Sequence, residues 1–176
     1  MSNIFSRRSF LKASAAAVLA VSFSGALAGC SDGGSGNQVA SATISLSEFD
    51  VTVTADIGIT GSETVGKDGV SYLYAPKVKI KYNGNGAIAL PFDKVFSAKV
   101  GDTAVKIQNG NTYIKSADIP LGNTATYQPT FAVPEKDNTA FRQGTAFKLS
   151  VTLQSKTAVF TMTSDGKVTV APEEKA

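Results

Sequence analysis

The sequence predicts an all-β fold, an antiparallel sandwich of about eight to ten short strands over residues 42–171. Three observations carry that expectation. Apolar residues recur at every second position through most of the stretch, which is the spacing that lines one face of a strand. Gly, Pro and Asn gather at the joints between these runs, where chain reversals need them. No segment carries an amphipathic helical period, and short strands at such intervals suit a two-sheet packing. At about 130 residues the stretch makes one domain, large enough to bury roughly 65–70% of its unfolded surface without disulfides.

The elements follow in order along the chain. Ile44 and Leu46 alternate with Thr43 and Ser45, and then Phe49, Val51 and Val53 carry the apolar face; the change of phase implies a bulge or sheet switch near Ser47 and Glu48. Tyr72 and Tyr74 lead to Pro76, which marks an edge or a break. Val78, Ile80 and Tyr82 then alternate with Lys77, Lys79 and Lys81, and Asn83-Gly84-Asn85-Gly86 supplies residues that tolerate positive φ in a tight reversal. Further strands read over residues 87–92, 95–100 and 103–107, the last two joined by Gly101-Asp102, with Asn109-Gly110-Asn111 as another turn. Ala125, Tyr127, Phe131 and Val133 face one way, and Thr124, Thr126, Gln128 and Thr130 the other. Phe147, Leu149, Val151 and Leu153 repeat the pattern. Ala158, Phe160 and Met162 follow a reversal at Ser155-Lys156, and Asp165-Gly166 precedes a last strand around Val168 and Val170. Residues 172–176 read as a polar tail.

Upstream of the domain, residues 1–29 read as a processing segment, not as fold. Ser6-Arg7-Arg8-Ser9-Phe10-Leu11-Lys12 resembles the twin-arginine export signal, with Arg7 and Arg8 read by a receptor and Phe10, Leu11 and Lys12 completing the pattern. Residues 13–28 form an Ala- and Ser-rich apolar run of helical propensity. That run is too short and too mild for the roughly 20 apolar residues of a membrane span, so it reads as the middle of a signal peptide. Leu27-Ala28-Gly29-Cys30 resembles a bacterial lipobox: Ala28 and Gly29 are small enough to fit an extended backbone into a peptidase cleft, and the Cys30 thiol accepts diacylglycerol. The bland reading is a generic basic flank and an incidental thiol. Two motifs in register outweigh it, and an unpaired Cys in an exported protein calls for an account that lipidation provides.

Residues 30–41 then form the lipidated Cys and a Gly/Ser-rich flexible tether. Two or three acyl chains anchor a protein stably where one holds it only marginally, so membrane lipid is the expected partner of Cys30. The expected location is the extracytoplasmic face of the cell membrane. Twin-arginine substrates cross the membrane folded, often because they carry a cofactor. No cofactor is expected here, because a chain with no His and one Cys lacks the usual ligands of iron–sulfur, haem, copper or zinc sites. Folding before export suits a sheet-rich domain, whose non-local contacts form slowly.

Charge follows the same division. The chain has 17 Lys+Arg against 14 Asp+Glu, a formal +3. Arg7, Arg8 and Lys12 account for the whole excess, and without residues 1–29 the balance is 14 against 14. Nucleic-acid binding needs clustered cations for counterion release, so no nucleic-acid partner is expected.

The alternating strand from Tyr72 to Tyr82 that ends in Asn83-Gly84 carries half of a family likeness. The other half is Ile119-Pro120-Leu121-Gly122 leading toward Phe131-Ala132-Val133-Pro134. Together they resemble the telokin-like, immunoglobulin-like domains of unknown function found on bacterial lipoproteins, in which a Pro-Gly turn precedes a strand ending in a Phe-x-Val-Pro-like sequence. Here Leu121 separates Pro120 from Gly122, and residues 60–70 read as an inserted loop. The likeness spans about residues 43–163. It implies an immunoglobulin-like sandwich and little about activity, since function resides in sites and not in folds.

Chemistry-bearing candidates are few. Asp50, Asp56, Glu63, Asp68 and Asp137 fall around loops, and none belongs to an alternating oxygen-ligand loop. A calcium site built from separate loops stands beside the commoner reading, solvated carboxylates. No Gly-x-Ser-x-Gly elbow or Ser-x-x-Lys nucleophile stands in a matching context. Lys77, Lys79 and Lys81 form a weak candidate surface for acidic glycans or lipid headgroups, against the alternative of a solvated face that discourages edge pairing. Tyr72, Tyr74 and Tyr82 either offer an aromatic platform for sugars or pack inside with their hydroxyls at the rim. The expected function is a non-enzymatic interaction, adhesion or cell-envelope module with a protein or glycan partner. The alternative is a sugar- or calcium-binding lipoprotein, and a metal-independent hydrolase comes third.

Overall fold

The computed structural model describes residues 21–23, 40–64, 69–109, 113–119 and 123–172. Arg7, Arg8, Phe10, Leu11, Lys12, Leu27, Ala28, Gly29 and Cys30 lie outside the described residues, as do the residues read as a tether through residue 39, Asp68, and residues 110–112 and 120–122.

The chain forms an antiparallel β-sandwich. Its smaller sheet contains β1 (Val21–Phe23), β2 (Ser41–Leu46), β3 (Phe49–Thr54), β6 (Val78–Tyr82) and β11 (Thr124–Tyr127), in the order β1-β2-β3-β6-β11. The larger contains β4 (Ile59–Thr64), β5 (Val70–Tyr74), β8 (Phe96–Val100), β9 (Thr103–Ile107), β12 (Phe131–Pro134), β13 (Phe147–Leu153), β14 (Lys156–Met162) and β15 (Val168–Pro172), in the order β15-β14-β13-β8-β9-β12-β5-β4. A two-stranded flap pairs β7 (Ala89–Pro91) with β10 (Tyr113–Lys115). The described residues thus hold fifteen strands, more than the expected eight to ten. Four strands account for part of the excess: β4 starts at Ile59 and runs into the stretch read as an inserted loop, β7 and β10 form the flap, and β1 falls among the residues read as a leader. Val21 and Phe23 are strand formers within a run read as helical, and β1 pairs them with Ile44 and Ala42.

The alternation does its expected work in the core. Ala42, Ile44 and Leu46 of β2, Phe49, Val51 and Val53 of β3, and Phe147, Leu149, Val151 and Leu153 of β13 are all buried, and they belong to one apolar cluster drawn from both sheets. The phase change at Ser47-Glu48 is neither bulge nor sheet switch. It is a two-residue hairpin in which Leu46 pairs with Phe49, so both face inward although an odd number of positions separates them. Two other hairpins are built alike, Val100 pairing with Thr103 and Leu153 with Lys156. In each the first loop residue takes positive φ: Ser47 at +56°, Gly101 at +58° and Gln154 at +57°. Only the glycine holds that conformation without steric cost. The last reversal is therefore Gln154-Ser155, one residue earlier than the sequence suggested.

Pro76 sits in a break where the chain leaves the larger sheet after β5 and enters the smaller at β6. β6 is an interior strand flanked by β3 and β11, so its lysines do not guard an edge. Asn83 to Gly86 is not a tight reversal either, because neither glycine there has positive φ. Gly84 is needed for room: a Cβ at that position falls 2.5 Å from the Tyr82 hydroxyl and 2.6 Å from the Tyr82 ring.

Among the described residues two short α-helices and one 3-10 turn, Ser116–Asp118, interrupt the strands. α1 (Phe92–Val95) is a single turn between β7 and β8, and α2 (Glu135–Arg142) occupies residues read as a loop, placing Asp137 on a helix. α2 begins after Pro134, carries Glu135 and Asp137 in its first turn and Arg142 in its last, and so complements the helix dipole at both ends. Gly144, at φ +105°, follows its end. Of its eight residues only Asn138 and Phe141 are buried, too few to print an apolar stripe in the sequence. Asn138 accepts a 2.7 Å hydrogen bond from the Tyr74 hydroxyl on β5, which fixes the helix to the larger sheet.

Candidate functional site

With the apolar residues consumed by the core, the outward faces of the two sheets carry the remaining chemistry. On the smaller sheet, antiparallel register aligns Thr43, Thr52, Lys79 and Thr126 in one row and Ser45, Asp50, Lys81 and Thr124 in the next. The Thr43 and Thr52 hydroxyls lie 2.8 Å apart. Ser45 donates to Asp50 Oδ1 at 2.6 Å, and Asn83 Nδ2 donates to Oδ2 at 2.9 Å. The Ser45 bond foremost, then those from Asn83 and the charge of Lys81, outweigh partial burial and hold the Asp50 carboxyl below its ordinary pKa.

This arrangement decides how the lysine row reads. Lys77 lies in the loop before β6, so only Lys79 and Lys81 belong to the strand. Lys81 stands opposite Asp50, while Lys77 and Lys79 share a hollow of about 350 Å³ with Asp56, Thr54 and Thr126. Each part of the row thus has a carboxylate beside it, which reduces its attraction for an anionic ligand.

The tyrosines pack inside. Tyr74 is fully buried between Phe141 and Phe147, at ring-centroid separations of 5.6 Å each. Burial, more than the opposing charge of Arg142 can offset, pushes its hydroxyl pKa up. Tyr82 stacks on Phe49 at 5.0 Å, and its hydroxyl both donates to the Gly86 carbonyl and accepts from the Gly86 amide. Tyr72 is half-buried against the core. They form no exposed aromatic platform. Among the described residues, no three of Asp, Glu, Cys and His gather where one metal ion could reach them.

The larger sheet presents a different surface on β8, β13, β14 and β15. Lys99 of β8 and Lys148 of β13 are direct cross-strand partners, and Lys148 pairs on its other side with Thr161 of β14. The adjacent row is Ser97, Ser150 and Val159. Beyond it Thr152 and Thr157 face each other with hydroxyls 3.0 Å apart. These rows line a groove of about 460 Å³, with Asp102 of the β8–β9 turn as its acidic wall residue. Sequence reading missed this group because the alternation marks each residue as outward-facing without saying which strands lie side by side.

Comparison with protein families, with curated protein sequences and with solved structures finds no match to the chain.

Proposed function

We propose that the protein is an exported bacterial lipoprotein whose β-sandwich serves, without catalysis of its own, as an interaction or adhesion module of the cell envelope. The observation that carries this reading is the coincidence of two motifs at fitting positions in one leader: Arg7-Arg8-Ser9-Phe10-Leu11-Lys12, then Leu27-Ala28-Gly29-Cys30 after an intervening apolar run. Each supplies what the other needs, export for the lipobox and an anchor for the exported domain. Acylated Cys30 holds the protein in membrane lipid at the extracytoplasmic face. The residues between Cys30 and β2 let the domain stand off the bilayer, by up to about 35 Å if fully extended.

The docking role draws on composition and on the polar faces. The chain has no His, and its single Cys is given to lipid, which removes the residues most used as general bases, thiol nucleophiles and metal ligands. Fractionation of cells tests the proposal. The wild-type chain partitions with membranes, Cys30→Ala leaves them, and an Arg7→Lys/Arg8→Lys double change stays unexported; normal export of the double change, or tight membrane binding of Cys30→Ala, contradicts it.

A further inference from the structure

We infer that the groove across β8, β13 and β14 binds a sugar–phosphate polymer of the cell envelope, with Lys99 and Lys148 seating a phosphate and the hydroxyls beside them taking the sugar or polyol. This rests on the envelope location proposed above and names the partner class. Like charges directly opposite on neighbouring strands destabilise a sheet, because their Cβ atoms stand only about 5 Å apart. Lys99 and Lys148 occupy such a pair in the middle of the larger sheet, on interior strands where protection from edge pairing is not at issue. Among the described residues neither ammonium has an ion-pair partner, the close pair being Lys167–Asp165 elsewhere. Lys106 adds a third cation to this face. It follows by two residues Ala104, which pairs with Lys99.

What surrounds the pair suits one ligand chemistry. Ser97, Ser150 and Thr161 line the same groove as the two lysines, and their hydroxyls can donate to phosphate oxygens and accept from sugar hydroxyls. The groove lies within the usual size range of ligand sites. Lysines are compact point charges that accept phosphate from many directions, whereas carboxylate recognition favours the bidentate fork of Arg, which this face lacks. The Lys77–Lys79 hollow on the opposite sheet also sets two lysines beside one carboxylate, Asp56, as Asp102 stands beside Lys99 and Lys148, so removing its two charges is the control matched for net charge.

The experiment measures binding of the full chain, held in nonionic detergent, to soluble poly(glycerol phosphate), with polygalacturonate, neutral dextran and anionic vesicles as competitors. The expected result is binding that weakens steeply with salt. Lys99→Gln/Lys148→Gln weakens it about tenfold or more, since two charge-assisted contacts are lost. The same double variant retains the wild-type thermal midpoint or exceeds it, while Lys77→Gln/Lys79→Gln binds like wild type. Absence of binding, or equal loss in both double variants, overturns the site. Polygalacturonate or vesicles binding as tightly as the phosphate polymer overturns the ligand assignment. Binding in vitro with a failed export or lipidation test leaves the groove standing and removes the envelope reading, so the two claims fail separately.

Discussion

Tyr74→Phe isolates one buried hydrogen bond and tests how α2 is held. The Tyr74 side chain is fully buried on β5, and its hydroxyl donates to Asn138 Oδ1 of α2 at 2.7 Å, with Asn138 itself only 4% exposed. The ring contacts with Phe141 and Phe147 survive the substitution, so packing changes little. What remains is an amide oxygen in apolar surroundings with no donor, a loss of about 1–3 kcal/mol. For a domain of this length each kcal/mol lowers the thermal midpoint by roughly 3–6 °C. Urea unfolding followed by circular dichroism reads the change as a lower midpoint at constant slope. Replacing both partners, Tyr74→Phe with Asn138→Leu, removes the orphaned group and recovers most of the loss, because matched apolar pairs are nearly neutral. A single-variant loss below about 0.5 kcal/mol, or a double variant equal to the sum of the singles, refutes the view that this bond anchors the helix.

Three further outcomes follow from the same geometry. Gln154→Gly relieves a side chain held at φ +57° and raises stability by about 0.5–1 kcal/mol in denaturant titration; a loss of stability counts against strain at that turn. Gly84→Ala forces a methyl into the Tyr82 ring and hydroxyl and costs about 1–3 kcal/mol. Gly86→Ala, whose Cβ meets the Tyr82 hydroxyl at an ordinary 3.6 Å, is nearly neutral in the same assay, and equal costs in the pair contradict the close-approach argument. Asp50 has a folded pKa below its ordinary 3.8, so its carboxylate stabilises the fold above that value and the contribution fades as pH falls through 3.8 and below. Ser45→Ala removes the chief cause, so unfolding midpoints of variant and wild type differ at pH 7 and converge in acid; a constant gap shows that Asp50 is not the linked group.

How far the sequence leads is clearest at particular residues. Alternation at Phe147 to Leu153 identified a buried strand face correctly, because a period of two survives wherever one side of a strand meets the core. The turn at Ser47 was misread, because a two-residue hairpin and a bulge both shift the phase by one. α2 left no periodic trace, since its main anchor is a polar residue, Asn138, whose partner lies 64 positions away. The tyrosines were open to two readings, and burial at Tyr74 and Tyr82 selects packing. Lys77, Lys79 and Lys81 drew attention as neighbours in the chain. Lys99 and Lys148 became neighbours only when β13 paired with β8. Local pattern reports which way a side chain points, and strand order decides what it meets.

The central claim is an exported domain anchored through Cys30, and the mass of the mature N-terminal peptide tests it most directly. Digestion of the protein recovered from membranes is expected to yield a peptide that begins at Cys30 and carries diacylglycerol, with or without a third acyl chain. An unmodified Cys30, or a mature chain that still includes Leu27, Ala28 and Gly29, contradicts the account.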